Sequence, residues 1–116
     1  MYNEKFLHRA WAEVDLKQIV ENVKIYLNSR EGKTKLIAVI KADAYGHGDV
    51  KVAEALQKIG IDFFAVSNVH EAVTLRDGGI KGEILVLGYT PVESVELLSK
   101  YDITQTLISY DYATML

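Results

Sequence analysis

The chain has 116 residues, 49% of them hydrophobic and 25% charged, with one proline and no cysteine. That balance describes one small folded unit and excludes a disordered or collagen-like chain, and the missing cysteines exclude disulfides and zinc–thiolate sites. A formal net charge of −3 leaves no basic footprint for nucleic acid.

The first ten residues carry Glu4, Lys5 and Arg9 and lack the apolar core of a signal peptide. The longest clean apolar run, Leu36-Ile37-Ala38-Val39-Ile40, is far short of the ~20 residues of a membrane helix. With no cysteine, the cytoplasm is the expected setting, with no membrane and no nucleic-acid partner. Trp11-Ala12-Glu13-Val14 alternates apolar and polar residues and predicts a short strand. Asp15 then caps a helix whose apolar face is Leu16, Ile19, Val23, Tyr26 and Leu27.

Four β-rich apolar runs follow: Leu36–Ile40, Phe63–Val66, Ile84–Leu87 and Thr104–Ile108. Near-continuous runs without alternation read as strands buried on both faces, the pattern of a parallel sheet. Helical segments separate them. Asp49 caps one with Val52, Ala55, Leu56 and Ile59 inward, and Gly60 ends it. Ser67 caps the next, with Val69, Ala72, Val73 and Arg76 at helical spacing before Gly78-Gly79. Thr90-Pro91-Val92-Glu93 combines an N-cap, a first-turn proline and a capping-box glutamate, and Val95, Leu97 and Leu98 supply the stripe behind it.

Strand–helix repetition predicts an α/β fold, either an open doubly wound sheet or a closed (β/α)8 barrel. Both place ligands at the carboxyl ends of the strands. The segments to inspect are therefore Lys41 to Gly48, Ser67-Asn68, Gly88-Tyr89-Thr90 and Ser109-Tyr110.

Lys41-Ala42-Asp43-Ala44-Tyr45-Gly46-His47-Gly48 leaves the first buried strand. A lysine at an apolar strand mouth either has its amine favoured in the neutral, nucleophilic form by desolvation or simply reaches solvent. Gly46 and Gly48 permit positive φ or close backbone approach, and the Tyr45 phenol can bond a phosphate or a ring substituent. His47 reads as a general base or as a loop residue bonded to backbone, and Asp43 as a turn residue or a partner for a cation. The glycines match neither dinucleotide nor P-loop spacing. His8 and His70 read as solvated, Trp11 and Phe63-Phe64 as core, and Lys100 as a complement to a helix dipole. Three histidines without cysteines give no metal-ligand spacing.

The Lys41–Gly48 segment resembles the pyridoxal-phosphate attachment signature of the alanine racemase family. Trp11-Ala-Glu-Val-Asp-Leu16 is similar to the family's N-terminal strand and helix entry. Phe64-Ala-Val66 with Glu71-Ala72 resembles its second unit, and Ile84-Leu-Val-Leu-Gly88 followed by Pro91 its third. The resemblance implies the N-terminal half of a (β/α)8 barrel, about four βα units plus a preceding strand and helix. Residues 1–116 would then be a partial cofactor-binding domain, with the second barrel half and a β-rich domain lying beyond it.

The implied cofactor is pyridoxal phosphate, and the implied activity is interconversion of L- and D-alanine for peptidoglycan by a dimeric isomerase. Lys41 would hold the cofactor covalently and exchange the α-proton on the D-enantiomer side. Tyr45 would contact the phosphate and Leu87 would pack against the pyridine ring, although Leu85 points to the same face of its strand. None of the seven tyrosines takes the role of the opposite base, so the chain alone is expected to be inactive. The unpaired edges of a half-barrel imply self-association. The alternatives are a serine or broad-specificity racemase, a non-catalytic pyridoxal-phosphate-binding module, and an aldolase-like Schiff-base enzyme without cofactor.

Overall fold

The computed structural model describes residues 9–116; His8 lies outside them. Helix α1 (Leu16–Ser29) begins where Asp15 accepts a hydrogen bond from the Gln18 amide at 3.0 Å, the expected cap. Leu16, Ile19, Val20, Val23 and Leu27 lie against the core, but Tyr26 turns outward and is 65% exposed. Tyr26 sits on the flank of the stripe, and Val20 takes the central place. The expected strand at 11–14 does not join the sheet. An isolated four-residue segment gains nothing from extension without a partner strand. Trp11 is 50% exposed rather than core, and its indole N–H donates locally to Glu13.

The sheet has four parallel strands, β1 (Ala38–Val39), β2 (Phe63–Val66), β3 (Glu83–Val86) and β4 (Thr104–Gln105), in the spatial order β1-β2-β3-β4. Each strand pairs with its successor and the order never reverses. A doubly wound sheet has a reversal point, so the sequential order decides for the barrel-type progression. The outer strands are shorter than the apolar runs that encode them, because each pairs on one side only. Single bonds extend them: the Ile40 amide donates to Ala65 and the Thr106 amide to Val86.

Right-handed crossovers put the connecting helices on one side of such a sheet. They are α3 (Asp49–Gln57), α4 (Val69–Asp77) and α5 (Val95–Lys100), and α6 (Tyr110–Met115) follows β4. Phe64, Val66, Ile84 and Val86 fill the core together with Val52, Leu56, Ala72 and Leu75. The opposite sheet face is open, with Val39 and Leu87 each 42% exposed. Burial on both faces, expected from the apolar runs, therefore holds for the centre of β2 but not for the sheet.

The helix faces differ from expectation where neighbours widen the buried arc. Helix α3 packs between α1 and α4, so Ala53 is buried as well as Val52 and Leu56. In α4 Leu75, not Arg76, is the deep residue, and in α5 Leu98 is buried while Leu97 is exposed. Three caps shift. Gly48 occupies the N-cap of α3 and Asp49 its first position. Asn68, not Ser67, caps α4, accepting from the Glu71 amide at 3.0 Å. After Pro91 the chain forms a 3-10 turn (Val92–Ser94) without a side-chain cap. Thr90 is wholly buried instead, and its hydroxyl donates to Gln105.

Candidate active site

Lys41 stands where β1 gives way to α2 (Lys41–Tyr45), a turn whose interior is not right-handed. Ala42, Asp43 and Ala44 have φ/ψ near +50°/+50°, and Tyr45 continues at φ 56°. L-residues pay roughly 1–2 kcal/mol each in that region. Four in succession persist only where the surroundings over-determine them.

The local bonding does so. The Ala44 amide donates to Ile40 and the Gly46 amide to Ala42, closing left-handed turns, while the Gly48 amide donates to Asp43 at 2.9 Å. The Asp43 carboxylate accepts from the Asp49 amide at 3.0 Å, tying the turn to the start of α3. Asp43 is thus a turn residue. Ala44 is buried, and Gly46 and Gly48 have φ of 89° and 93°, as their spacing suggested. His47 is bonded to backbone: its Nδ1 lies 2.9 Å from the Ala44 carbonyl, which requires that nitrogen to carry the proton.

The ladder sets the lateral order of the site. Val39 is opposite Ala65, and Ala65 opposite Leu85. The Leu87 and Gly88 amides continue the ladder onto Val66 and Ser67, whereas β1 leaves it after Ile40 and Lys41 begins the turn. Lys41 and Leu87 therefore both stand at the carboxyl end of the sheet, after strands that β2 separates. Leu85 shares the face of Leu87 one row deeper and is less exposed. Tyr45 ends the left-handed turn and is 61% exposed.

These residues suit a phosphorylated aromatic aldehyde. Lys41 supplies a primary amine on a partly buried residue, and Leu87 and Tyr45 supply an exposed aliphatic side chain and an exposed phenol at the same end of the sheet. A cavity of about 300 Å³ lies under α1 beside the free edge of β1, lined by Ile19, Val23, Val39, Ala44, Tyr45 and His47 among others. Tyr45 lines it and Lys41 and Leu87 do not, so the cavity meets the site at one residue of the three.

Two polar arrangements at this end escaped the sequence reading. Glu71, in the first turn of α4, accepts the Ala42 amide on one carboxylate oxygen at 2.6 Å and the Ser67 amide on the other at 2.7 Å. Its signal was the acidic residue three places after an N-cap, which normally bonds back to the cap. Further along, the buried Tyr112 hydroxyl donates to the Thr90 carbonyl at 2.7 Å and accepts from the Thr90 amide. The Gln105 amide group donates to Gly88 at 2.6 Å. Those bonds fix the loop that follows Leu87.

The family described as "Alanine racemase, N-terminal domain" matches residues 14–116. The chain belongs to this family. Alanine racemase 1 of Clostridium acetobutylicum is 44% identical over 112 residues, covering 97% of this chain and 29% of that relative. A serine/alanine racemase of Enterococcus gallinarum is 42% identical over 108 residues, 93% of this chain and 16% of its own length. The solved alanine racemase of Clostridium difficile 630 superposes with a TM-score of 0.86 at 44% identity, over 90% of this chain and 29% of that one. The chain thus spans less than a third of the length of these relatives. Alanine racemases are pyridoxal-phosphate enzymes, so membership of the alanine racemase family carries the expected cofactor with it. No helix among the described residues is long and apolar enough to cross a membrane.

Proposed function

We propose that residues 1–116 form the N-terminal part of the pyridoxal-phosphate-binding barrel of an amino-acid racemase acting on alanine, with Lys41 as the attachment lysine. The observation that carries this reading is the position of Lys41, a partly buried lysine held at the carboxyl end of β1 by a strained, over-determined turn. When bound, the cofactor supplies an electron sink that acidifies the α-proton of the amino acid. Lys41 would anchor it and, through Nζ, would move that proton on the D-enantiomer side. The Tyr45 phenol would donate to the phosphate, and Leu87 would supply aliphatic packing for the pyridine ring.

The remaining strands, a β-rich domain and the opposite base, contributed across a homodimer, belong to the rest of the enzyme. Its product, D-alanine, serves peptidoglycan, and its setting is the cytoplasm, with which a cysteine-free chain agrees. The likeness to a serine/alanine racemase supports a second reading, that serine is also accepted.

The test is attachment. Incubation with pyridoxal phosphate followed by borohydride should leave one fixed adduct on the peptide containing Lys41, read by mass spectrometry, and Lys41→Ala should leave none there. Adducts spread over surface lysines, with no preference for Lys41, would reject the assignment.

A further inference from the structure

Glu71 is placed to do something the lysine needs and cannot do for itself. Its backbone is fixed first: the Glu71 amide is held by the Asn68 cap. Its carboxylate then reaches two chain segments at once, the Ala42 amide after β1 and the Ser67 amide after β2. Both bonds are short for a backbone N–H donor, whose usual N···O distance is about 2.9–3.0 Å.

The Ala42 N–H belongs to the planar peptide unit that also contains the Lys41 carbonyl. Fixing that N–H fixes the plane, and with it the backbone of Lys41 at the point where an extended strand turns left-handed. The backbone bonds of the turn do not take the Ala42 N–H, whose acceptor is the Glu71 carboxylate. A carboxylate is the side chain that fits. Both amides donate, so both ends of the group must accept. A glutamine would present one acceptor and one NH₂, facing a donor with a donor.

We infer that Glu71 is a positioning residue for Lys41: its carboxylate clamps the carboxyl ends of β1 and β2 and sets the direction in which the lysine amine leaves the sheet. The functional meaning rests on the attachment role proposed for Lys41, while the clamp can be tested without it. Glu71→Gln is nearly isosteric, and Glu71→Asp keeps the charge but is one methylene too short to reach both amides. Glu96→Gln, on the exposed side of α5, is the control.

Amide hydrogen exchange in the isotope-labelled chain gives the first readout. Exchange at Ala42 and Ser67 should be at least tenfold faster in Glu71→Gln, with Phe64–Val66 and Ile84–Val86 unchanged, and the control should resemble the parent. The second readout is the rate of cofactor attachment at Lys41, expected to fall about tenfold in Glu71→Gln with the adduct still on Lys41. Unchanged protection at Ala42, or loss of protection spread evenly over the whole sheet, would overturn the clamp. If Glu71→Gln fails to fold, Glu71→Asp carries the comparison, and faster exchange at one of the two amides is its expected result. Absence of an adduct on Lys41 in the parent chain would remove the attachment role yet leave the exchange result to judge the clamp. Normal exchange effects with an unchanged attachment rate would reject the positioning role.

Discussion

At Ala42 the usual ranking of alanine and glycine reverses. In a right-handed helix, replacing an exposed alanine by glycine costs about 0.5–1 kcal/mol, because glycine loses more freedom on folding. Ala42 sits at φ 51°, ψ 51° and is exposed, so its Cβ makes no buried packing that a glycine would forfeit. A left-handed alanine carries roughly 1–2 kcal/mol of strain that glycine does not. Ala42→Gly is therefore expected to leave the chain as stable as before or about 1 kcal/mol more stable, measured by urea denaturation. A loss of 1 kcal/mol would mean that the turn is right-handed in solution. The segment was legible as chemistry, since a lysine leaving an apolar strand into two glycines is conspicuous. Its handedness was not, because Ala42-Asp43-Ala44 reads locally as a good right-handed helix. The opposite outcome comes from bonds to Asp49, Glu71 and Ile40, which lie outside those three residues.

The elements were legible where hydrophobic period and caps agree, as at Asp15, and were misread where a side chain serves a neighbouring element. Thr90 is such a case, for its hydroxyl serves β4 rather than the turn it precedes. Arg76 is another. It was expected on the apolar stripe of α4, and its guanidinium instead donates to the carbonyls of Tyr101 at 2.8 Å, Ile80 at 3.0 Å and Asp102 at 2.7 Å. Those carbonyls belong to the loops before β3 and β4, so one side chain secures the entry of two strands. Hydrogen bonds from a charged donor contribute about 1.5–3 kcal/mol each at most, and partly exposed ones less. Arg76→Ala is expected to cost about 2–3 kcal/mol in denaturant unfolding. Arg76→Lys should recover only a minor part of that, because an ammonium lacks the fork that spans three separated acceptors. Full recovery by lysine would show that charge, not geometry, matters at this position.

For the whole molecule, the sheet is the decisive object. Its helix side is packed by Phe64, Val66, Ile84 and Val86, while the other side presents Val39, Leu85 and Leu87 with no layer over them. The least extent of the molecule is only 20 Å, the depth of a sheet carrying one layer of helices. This openness explains why the sequence suggested strands buried on both faces. The apolar runs encode an inner surface meant to be covered, and the described residues supply no cover. Two further features act in the same direction. Strands β1 and β4 each have one unpaired edge, and an unpaired edge next to an apolar face is a template for pairing. Exposed Leu107 and Ile108 extend the apolar surface beyond β4. The net charge of −3 spread over 116 residues is too small to hold copies apart at ordinary ionic strength. The chain on its own is therefore expected to self-associate at micromolar concentration, with the inner face buried between copies. Sedimentation velocity should show dimers or larger species whose fraction rises with concentration. Val39→Lys, which places a charge on the inner face beside the β1 edge, should shift the distribution toward monomer without unfolding the helix layer. A single monomeric species at high concentration, or association indifferent to Val39→Lys, would show that this face is not the surface that drives it.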